Sequence, residues 1–196
     1  AITPNITWEH HPIQKENKGY FNPQLYIRHR LSSRWSIQAS AALQHRSENP
    51  EAYYPTPYYR NYRTFVHMKK ELGKTQSQSY MLYTEYKRPV KEFFWTLMLN
   101  HFNIRQDHLT HTEYQDNQFK LTSLEHPHRT ENYQARSLIS KGFYSWNLKA
   151  SLEAVYQYGK GLQAGQGIVQ PYENHWLNLK PKLNWNPTHW LTASYQ

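Results

Sequence analysis

The chain has no cysteine, which removes disulfides, thiol catalysis and cysteine-based zinc sites. It also lacks any long apolar run: the densest, residues 93–99, spans seven residues, far short of the ~18 that a transmembrane helix needs. Acid is scarce, with 14 Asp and Glu against 23 Lys and Arg and a net charge of +9. Such an excess suggests nucleic acid, but the cations are scattered over polar strand positions and turns, not gathered into one basic stripe. A basic lumen, or contact with anionic lipid headgroups, accounts for the charge equally well. Residues 1–10 carry no signal peptide, so a secreted or membrane reading needs one already removed or lying upstream. No Gly-x-Ser-x-Gly context and no phosphate-cradling glycine loop occurs, and the carboxylates are scattered; a non-enzymatic protein without a cofactor is expected.

What is present is aromatic and alternating. Only 38% of the chain is hydrophobic and the mean hydropathy is −0.96, yet 16% is aromatic, which argues against disorder. Alternation is clearest in residues 141–160, KGFYSWNLKASLEAVYQYGK. There Tyr144, Trp146, Leu148, Ala150, Leu152, Ala154, Tyr156 and Tyr158 interleave with Ser145, Asn147, Lys149, Ser151, Glu153 and Gln157. A period of two is a strand; on a helix the same apolar set would smear round the axis and leave no buried face. The apolar side runs aromatic pair, four aliphatic residues, aromatic pair. From Trp146 to Tyr156 at about 3.3 Å per residue and a tilt near 40°, the projected height is about 25 Å, the apolar band of an outer-membrane barrel. Rings at both ends then lie at the two headgroup levels.

Other stretches repeat the pattern. Strands are expected at 2–10, 20–30, 35–46, 78–87, 92–106, 131–141, 172–185 and 190–196 as well. In 35–46, Trp35, Ile37, Ala39, Ala41 and Leu43 share a side; in 92–106 two apolar sides compete, and the one with Trp95 is assigned to lipid. The short connections are 31–34 (LSSR), 88–91 (RPVK), the turn at Gly142, and 186–189 (NPTH). Each alternates with a longer polar one, near 11–19, 47–77, 107–130 and 159–170; 107–130 reads as a loop or as a hairpin extending beyond the membrane, and 159–170 as a glycine-rich flexible loop. Tight turns at one end and long loops at the other are the parity of outer-membrane barrels. The expected fold is therefore all-β, an antiparallel up-and-down transmembrane barrel segment of about nine strands. Because bacterial barrels have even strand numbers, and unpaired sheet edges are costly in lipid, the stretch is expected to be a window on a larger barrel.

The order YFNPQLYIRHRLSSRWSIQASAAL, a proline- and tyrosine-rich loop, ELGKTQSQSYMLYTEYKRPVKEFFWTLML, ISKGFYSWNLKASLEAVYQYGKG and WLNLKPKLNWNPTHWLTASYQ resembles the barrel part of TonB-dependent outer-membrane receptors of the Bacteroidota. The resemblance implies a plugged barrel of about 22 strands, nutrient uptake energised by TonB acting on a plug outside this stretch, and a surface lipoprotein as a possible partner.

Candidate site residues follow from the faces. The lipid-facing belt is assigned to Trp35, Tyr80, Trp95, Tyr144, Trp146, Tyr156, Tyr158 and Trp185. Arg28, Arg30, Arg46, Arg136, Lys149, Lys180 and Lys182 fall on the lumen side, for an anionic ligand or for salt bridges to a plug, the plug being the favoured reading because a filled lumen needs many polar partners. Tyr53, Tyr54, Tyr58, Tyr59 and Arg60 mark a loop whose rings suit ligand stacking or packing on one another. His108, His111, His126 and His128 are weak metal candidates in a histidine-rich chain with no helical ligand spacing; solvated loop histidines are the favoured reading. Two alternatives stand beside the receptor: a soluble or cell-surface all-β binding module, and a passive or secretion-related outer-membrane barrel.

Overall fold

The computed structural model describes residues 2–11, 16–47, 56–68, 74–188 and 191–195. Alternation of side chains becomes strand almost throughout. In chain order these are β1 (Ile2–Thr3), β2 (Ile6–His11), β3 (Glu16–Phe21), β4 (Gln24–Arg30), β5 (Trp35–Ser47), β6 (Tyr58–Asn61) and β7 (Thr64–His67), followed by β8 (Lys74–Arg88), β9 (Phe93–Gln115), β10 (Gln118–Phe143), β11 (Leu148–Gly165), β12 (Ile168–Thr188) and β13 (Leu191–Tyr195). Eleven of them form one sheet: nine run in the order β1-β4-β5-β8-β9-β10-β11-β12-β13, each antiparallel to the next, and β6 and β7 join it through β10. This is the expected all-β up-and-down meander. It is open, with β1 and β13 as its edges. No helix among the described residues is long and apolar enough to cross a membrane.

One end of the meander carries the tight turns. Residues 31–34 join β4 to β5, a 3-10 turn at Pro89–Lys91 joins β8 to β9, and a second at Tyr144–Trp146 joins β10 to β11. Both 3-10 turns finish on a left-handed residue, Glu92 and Asn147, each at φ 47°. Each turn is then latched to the next hairpin. The Arg34 carbonyl accepts from the Lys87 N–H (2.8 Å), that of Glu92 from Gly142 (3.0 Å), and that of Asn147 from Asn186 (3.0 Å).

Strand ends depart from the sequence expectation. The expected first strand divides at Pro4–Asn5 into β1 and β2, and β2 pairs with β3 in a separate ribbon, so much of 11–19 is strand and not a loop. Residues 107–130 form a hairpin, one of the two readings of that stretch, with its tip at Asp116–Asn117, whereas 159–170, expected as a flexible loop, is also strand, in a hairpin with its tip at Gln166–Gly167. All four tip residues have positive φ, the geometry of the turns that match strand twist. Gly159 is in a strand because of close approach: a Cβ there would lie 2.5 Å from Asn174 Oδ1 and 2.8 Å from Asn132 Oδ1. The strand expected within 141–160 begins at Leu148, not at Tyr144, and β12 continues through Asn186 to Thr188, where the sequence predicts a turn at 186–189. Within 47–77, β6 and β7 form a hairpin, with β7 beside β10 in parallel.

A single sheet has little interior. The buried apolar residues among those described are Val66, Leu109, Val155 and Ala164. Hydrogen-bonded ladders set the shape, and most of the apolar surface is left uncovered.

Candidate functional site

Register sorts every spanning residue onto one of two faces. One row runs Leu25, Ala41, Tyr80, His101, Tyr133, Tyr158, His175 across successive strands from β4 to β12. Five of these are rings in contact: Tyr80–His101 at 5.8 Å, His101–Tyr133 at 4.3 Å, Tyr133–Tyr158 at 5.9 Å and Tyr158–His175 at 4.8 Å. Toward the tight turns, the same face carries Trp35, Tyr86, Trp95 and Trp185. Trp35 and Tyr86 meet edge to face at 6.2 Å, and Tyr86 meets Phe93 at 6.1 Å. Between the two aromatic levels lie Leu, Ile, Ala and Pro. Leu177, Leu179 and Leu152 there are 63%, 56% and 43% exposed. The band is ten residues tall on β12, from His175 to Trp185, and six on β8, from Tyr80 to Tyr86.

Among the described residues the only aliphatic hydroxyls on this face within that band are Thr84 and Ser137, and each accepts from a tryptophan. The Trp35 indole N–H donates to the Thr84 hydroxyl (2.6 Å), which itself donates to the Ser36 carbonyl (3.3 Å). The Trp95 N–H donates to the Ser137 hydroxyl (3.1 Å). Trp185 donates to the Trp146 carbonyl (3.0 Å), and Tyr156 shares a hydrogen bond with His175 Nδ1 (2.9 Å). These bonds match polar atoms on the apolar surface with one another, as polar groups in apolar surroundings require, whereas His101 Nε2 in the ring row is buried without a partner. These hydroxyls are invisible to alternation alone, because the pairs are diagonal across strands.

Of the expected belt, Trp35, Tyr80, Trp95, Tyr156, Tyr158 and Trp185 share this face. Tyr144 and Trp146 do not belong to a strand. They form the turn before Leu148, 67% and 65% exposed, with Trp146 stacked on Phe143 at 5.9 Å. The competition in 92–106 resolves for Trp95: it shares the face with Leu97 and Leu99, while Phe94, Met98 and Phe102 point to the other side. Ala39, Ala41 and Ala135 leave a cleft of about 620 Å³ between Tyr80, Tyr133 and Tyr156.

The opposite face is polar. Arg28, Arg30, Arg46, Arg136, Lys149, Lys180 and Lys182 all lie on it. Arg136 is bonded to Glu153 (3.1 Å), and Asn100 donates to Gln134 (3.1 Å) across β9 and β10.

Just above the ring row, outside the apolar band, Glu131 receives the Tyr133 hydroxyl (3.0 Å), Arg129 (2.8 Å) and Lys160 (3.3 Å). The Tyr133 hydrogen bond first, and the two cations after it, hold its carboxyl below the ordinary glutamate value.

Among the loop candidates, Tyr53 and Tyr54 lie outside the described residues. Tyr58 is half-buried opposite Val66, Tyr59 is exposed and edge-on to Phe65 at 5.3 Å, and Arg60 is exposed beside them. The four histidines do not converge. His111 is buried, with Nε2 accepting the Gly167 N–H (2.9 Å) and Nδ1 facing the Thr122 hydroxyl (3.3 Å). His108 is opposite Glu125 on the same hairpin. His126 is exposed at a bulge, and its carbonyl lies 3.1 Å from His128 Nδ1. Among the described residues no three His, Asp or Glu side chains form a metal-sized group. Comparison with protein-family models, with curated proteins and with solved structures found no match for this chain.

Proposed function

We propose that the chain is part of an outer-membrane β-barrel receptor that imports a nutrient by TonB-dependent transport. The carrying observation is the exposed apolar face, framed by two aromatic levels, on which the two hydroxyls each accept a tryptophan N–H. A face of this extent on a water-soluble monomer would be an aggregation site. Against acyl chains it is the expected surface, with rings at the headgroup levels. An open sheet in lipid needs its edges paired, so further strands continue β1 and β13 into a closed barrel. TonB coupling, a plug and a partner lipoprotein rest on the sequence resemblance. In this mechanism the hairpins beyond the ring row capture the solute, and the polar face lines its path.

Spin labels test the reading in the full natural polypeptide that carries these residues. At Leu152 and Leu179 a lipid-facing site is relaxed strongly by oxygen and weakly by a water-soluble nickel chelate, and at Ser151 and Asn178 the preference reverses. Low access to both reagents at Leu152 and Leu179 would mean a protein-covered core, as in a soluble all-β module, and would end the membrane assignment.

A further inference from the structure

The polar face is unusually one-signed. Among the described residues its strands hold two carboxylates, and both are engaged: Glu85 with Lys87 (2.9 Å) and Glu153 with Arg136 (3.1 Å); a third, Glu92 in the β8–β9 turn, lies over Gly142, the register partner of Lys149. Six cations remain without a bonded carboxylate: Arg28, Arg30, Arg46, Lys149, Lys180 and Lys182, all exposed. Lys180 stands opposite Glu153 in register, but that carboxylate already bonds Arg136 and cannot neutralise both.

Three of the six are crowded. Lys149 pairs with Asn184 and Ser151 with Lys182, so Lys149 and Lys182 are diagonal neighbours, and Lys180 is one rung further along the same face. Diagonal neighbours have Cα atoms about 7–8 Å apart, and like charges at such spacing repel. Arg28 and Arg30 repeat the arrangement on β4, one rung apart beside the 31–34 turn. The apolar band on the reverse side carries no Asp or Glu to offset this field; Lys141, and Arg88 in the same row, lie at its tight-turn end beside Leu183. Ser140, Ser151, Asn178 and Asn184 stand among the lysines as neutral hydrogen-bonding groups.

We propose that this wall binds anions, and that the solute carried along it is polyanionic, bearing carboxylate, sulfate or phosphate groups. Passage of the solute and the lipid layer behind the wall rest on the barrel reading; the anion site itself rests on the six cations. A multiply charged solute bridges neighbouring ammonium groups and relieves their repulsion, and a low-dielectric lipid layer behind the sheet strengthens that attraction. Exposed, long side chains are suited to a solute that enters and leaves.

The test uses the full natural chain, purified in detergent, with calorimetric titration of a heparin-derived sulfated tetrasaccharide and of uncharged maltotetraose. The sulfated probe is expected to bind, more weakly as salt rises, and maltotetraose to give no heat. The Lys149→Gln/Lys180→Gln/Lys182→Gln variant should lose at least ~10-fold in affinity, and Lys182→Gln alone about 3-fold, whereas Arg105→Gln, off this face, should bind as the parent does. The single variant decides the matter if the triple one does not fold. No binding of the sulfated probe overturns the proposal, as it would if carboxylates of another protein segment already filled the wall. Equal affinity in the lysine variants overturns it too. Failure of the barrel reading shows separately, as a chain that stays monodisperse without detergent.

Discussion

Leu179→Arg puts a charge near the middle of the apolar band. On β12 the band runs from His175 to Trp185, so Leu179 is four residues from one aromatic level and six from the other. With about 3.3 Å per residue and a tilt near 40°, those are depths of about 10 and 15 Å. An arginine at that depth on the lipid face of a barrel costs about 2–4 kcal/mol, falling to about 0–1 near the interfaces. The same substitution at Leu183, about 5 Å from the Trp185 level, should cost about 1 kcal/mol, and at Asn178, one residue away on the polar face, less than about 0.5 kcal/mol. Urea midpoints of the full chain folded into lipid vesicles, followed by tryptophan fluorescence, measure all three. The ordering by depth is the diagnostic result. In a soluble sandwich the cost would follow packing instead of height, and detergent or lipid would not be needed. Equal costs at Leu179 and Asn178, or a larger cost at Leu183 than at Leu179, would refute the placement of this face in lipid.

Removing an acceptor from the apolar face should be expensive only while its tryptophan remains. Thr84→Val leaves the Trp35 N–H unpaired and should cost about 1–3 kcal/mol, whereas adding Trp35→Phe should recover most of it in a double-mutant cycle. Asn117, at φ 61° in the β9–β10 tip, should lose about 1 kcal/mol as Ala and little as Gly, read from the same urea midpoints. Glu131 has a depressed carboxyl pKa, so its contribution is full above the unfolded glutamate value and is lost as pH falls through the folded one. Between pH 7 and pH 3 the parent should lose stability that Glu131→Gln lacks at both, and parallel losses in the two proteins would contradict the arrangement.

The faces were legible because alternation is local. Trp35, Ile37, Ala39 and Ala41 on one side of β5, and Leu152, Ala154 and Tyr156 on one side of β11, need no partner strand to be recognised. The lysine side of the sheet follows from the same parity. Strand length was not legible, since in β9 to β12 it depends on neighbours. Gly159 resembles a loop residue until Asn132 and Asn174 are seen pressing on its α-carbon from either side. Tyr144 and Trp146 keep the alternation through a turn in which it has no meaning. The available signal there was Asn147, a residue type that tolerates the left-handed conformation it adopts. The tryptophan–hydroxyl pairs required a register, which sequence periodicity does not supply.

The half of the sheet beyond the ring row is organised by one irregularity. Pairing of β9 with β10 shifts between Glu125 and His128, leaving His126 and Pro127 out of the ladder; proline has no N–H to give, and a bulge sharpens strand twist. Below that point β10 lies between β9 and β11, with Arg136 opposite both Met98 and Val155. Above it the neighbours change: β10 pairs with β7 through residues 119–122, and β9 meets β11 at His111 and Thr112. The hairpin has turned over. That reversal brings the buried His111 against the β11–β12 tip, where it accepts the Gly167 N–H while Thr112 accepts that of Gln166. Two connections that sequence alone presents separately, one as a histidine-rich loop or hairpin and the other as a flexible glycine loop, are therefore tied at their ends, with Leu109 and Ala164 buried among them. A tied platform loses less conformational entropy on meeting a ligand than free loops would. Two of the four histidines first weighed as metal ligands thus have a structural role: His126 in the bulge that turns the hairpin, and His111 in the contact that holds it turned.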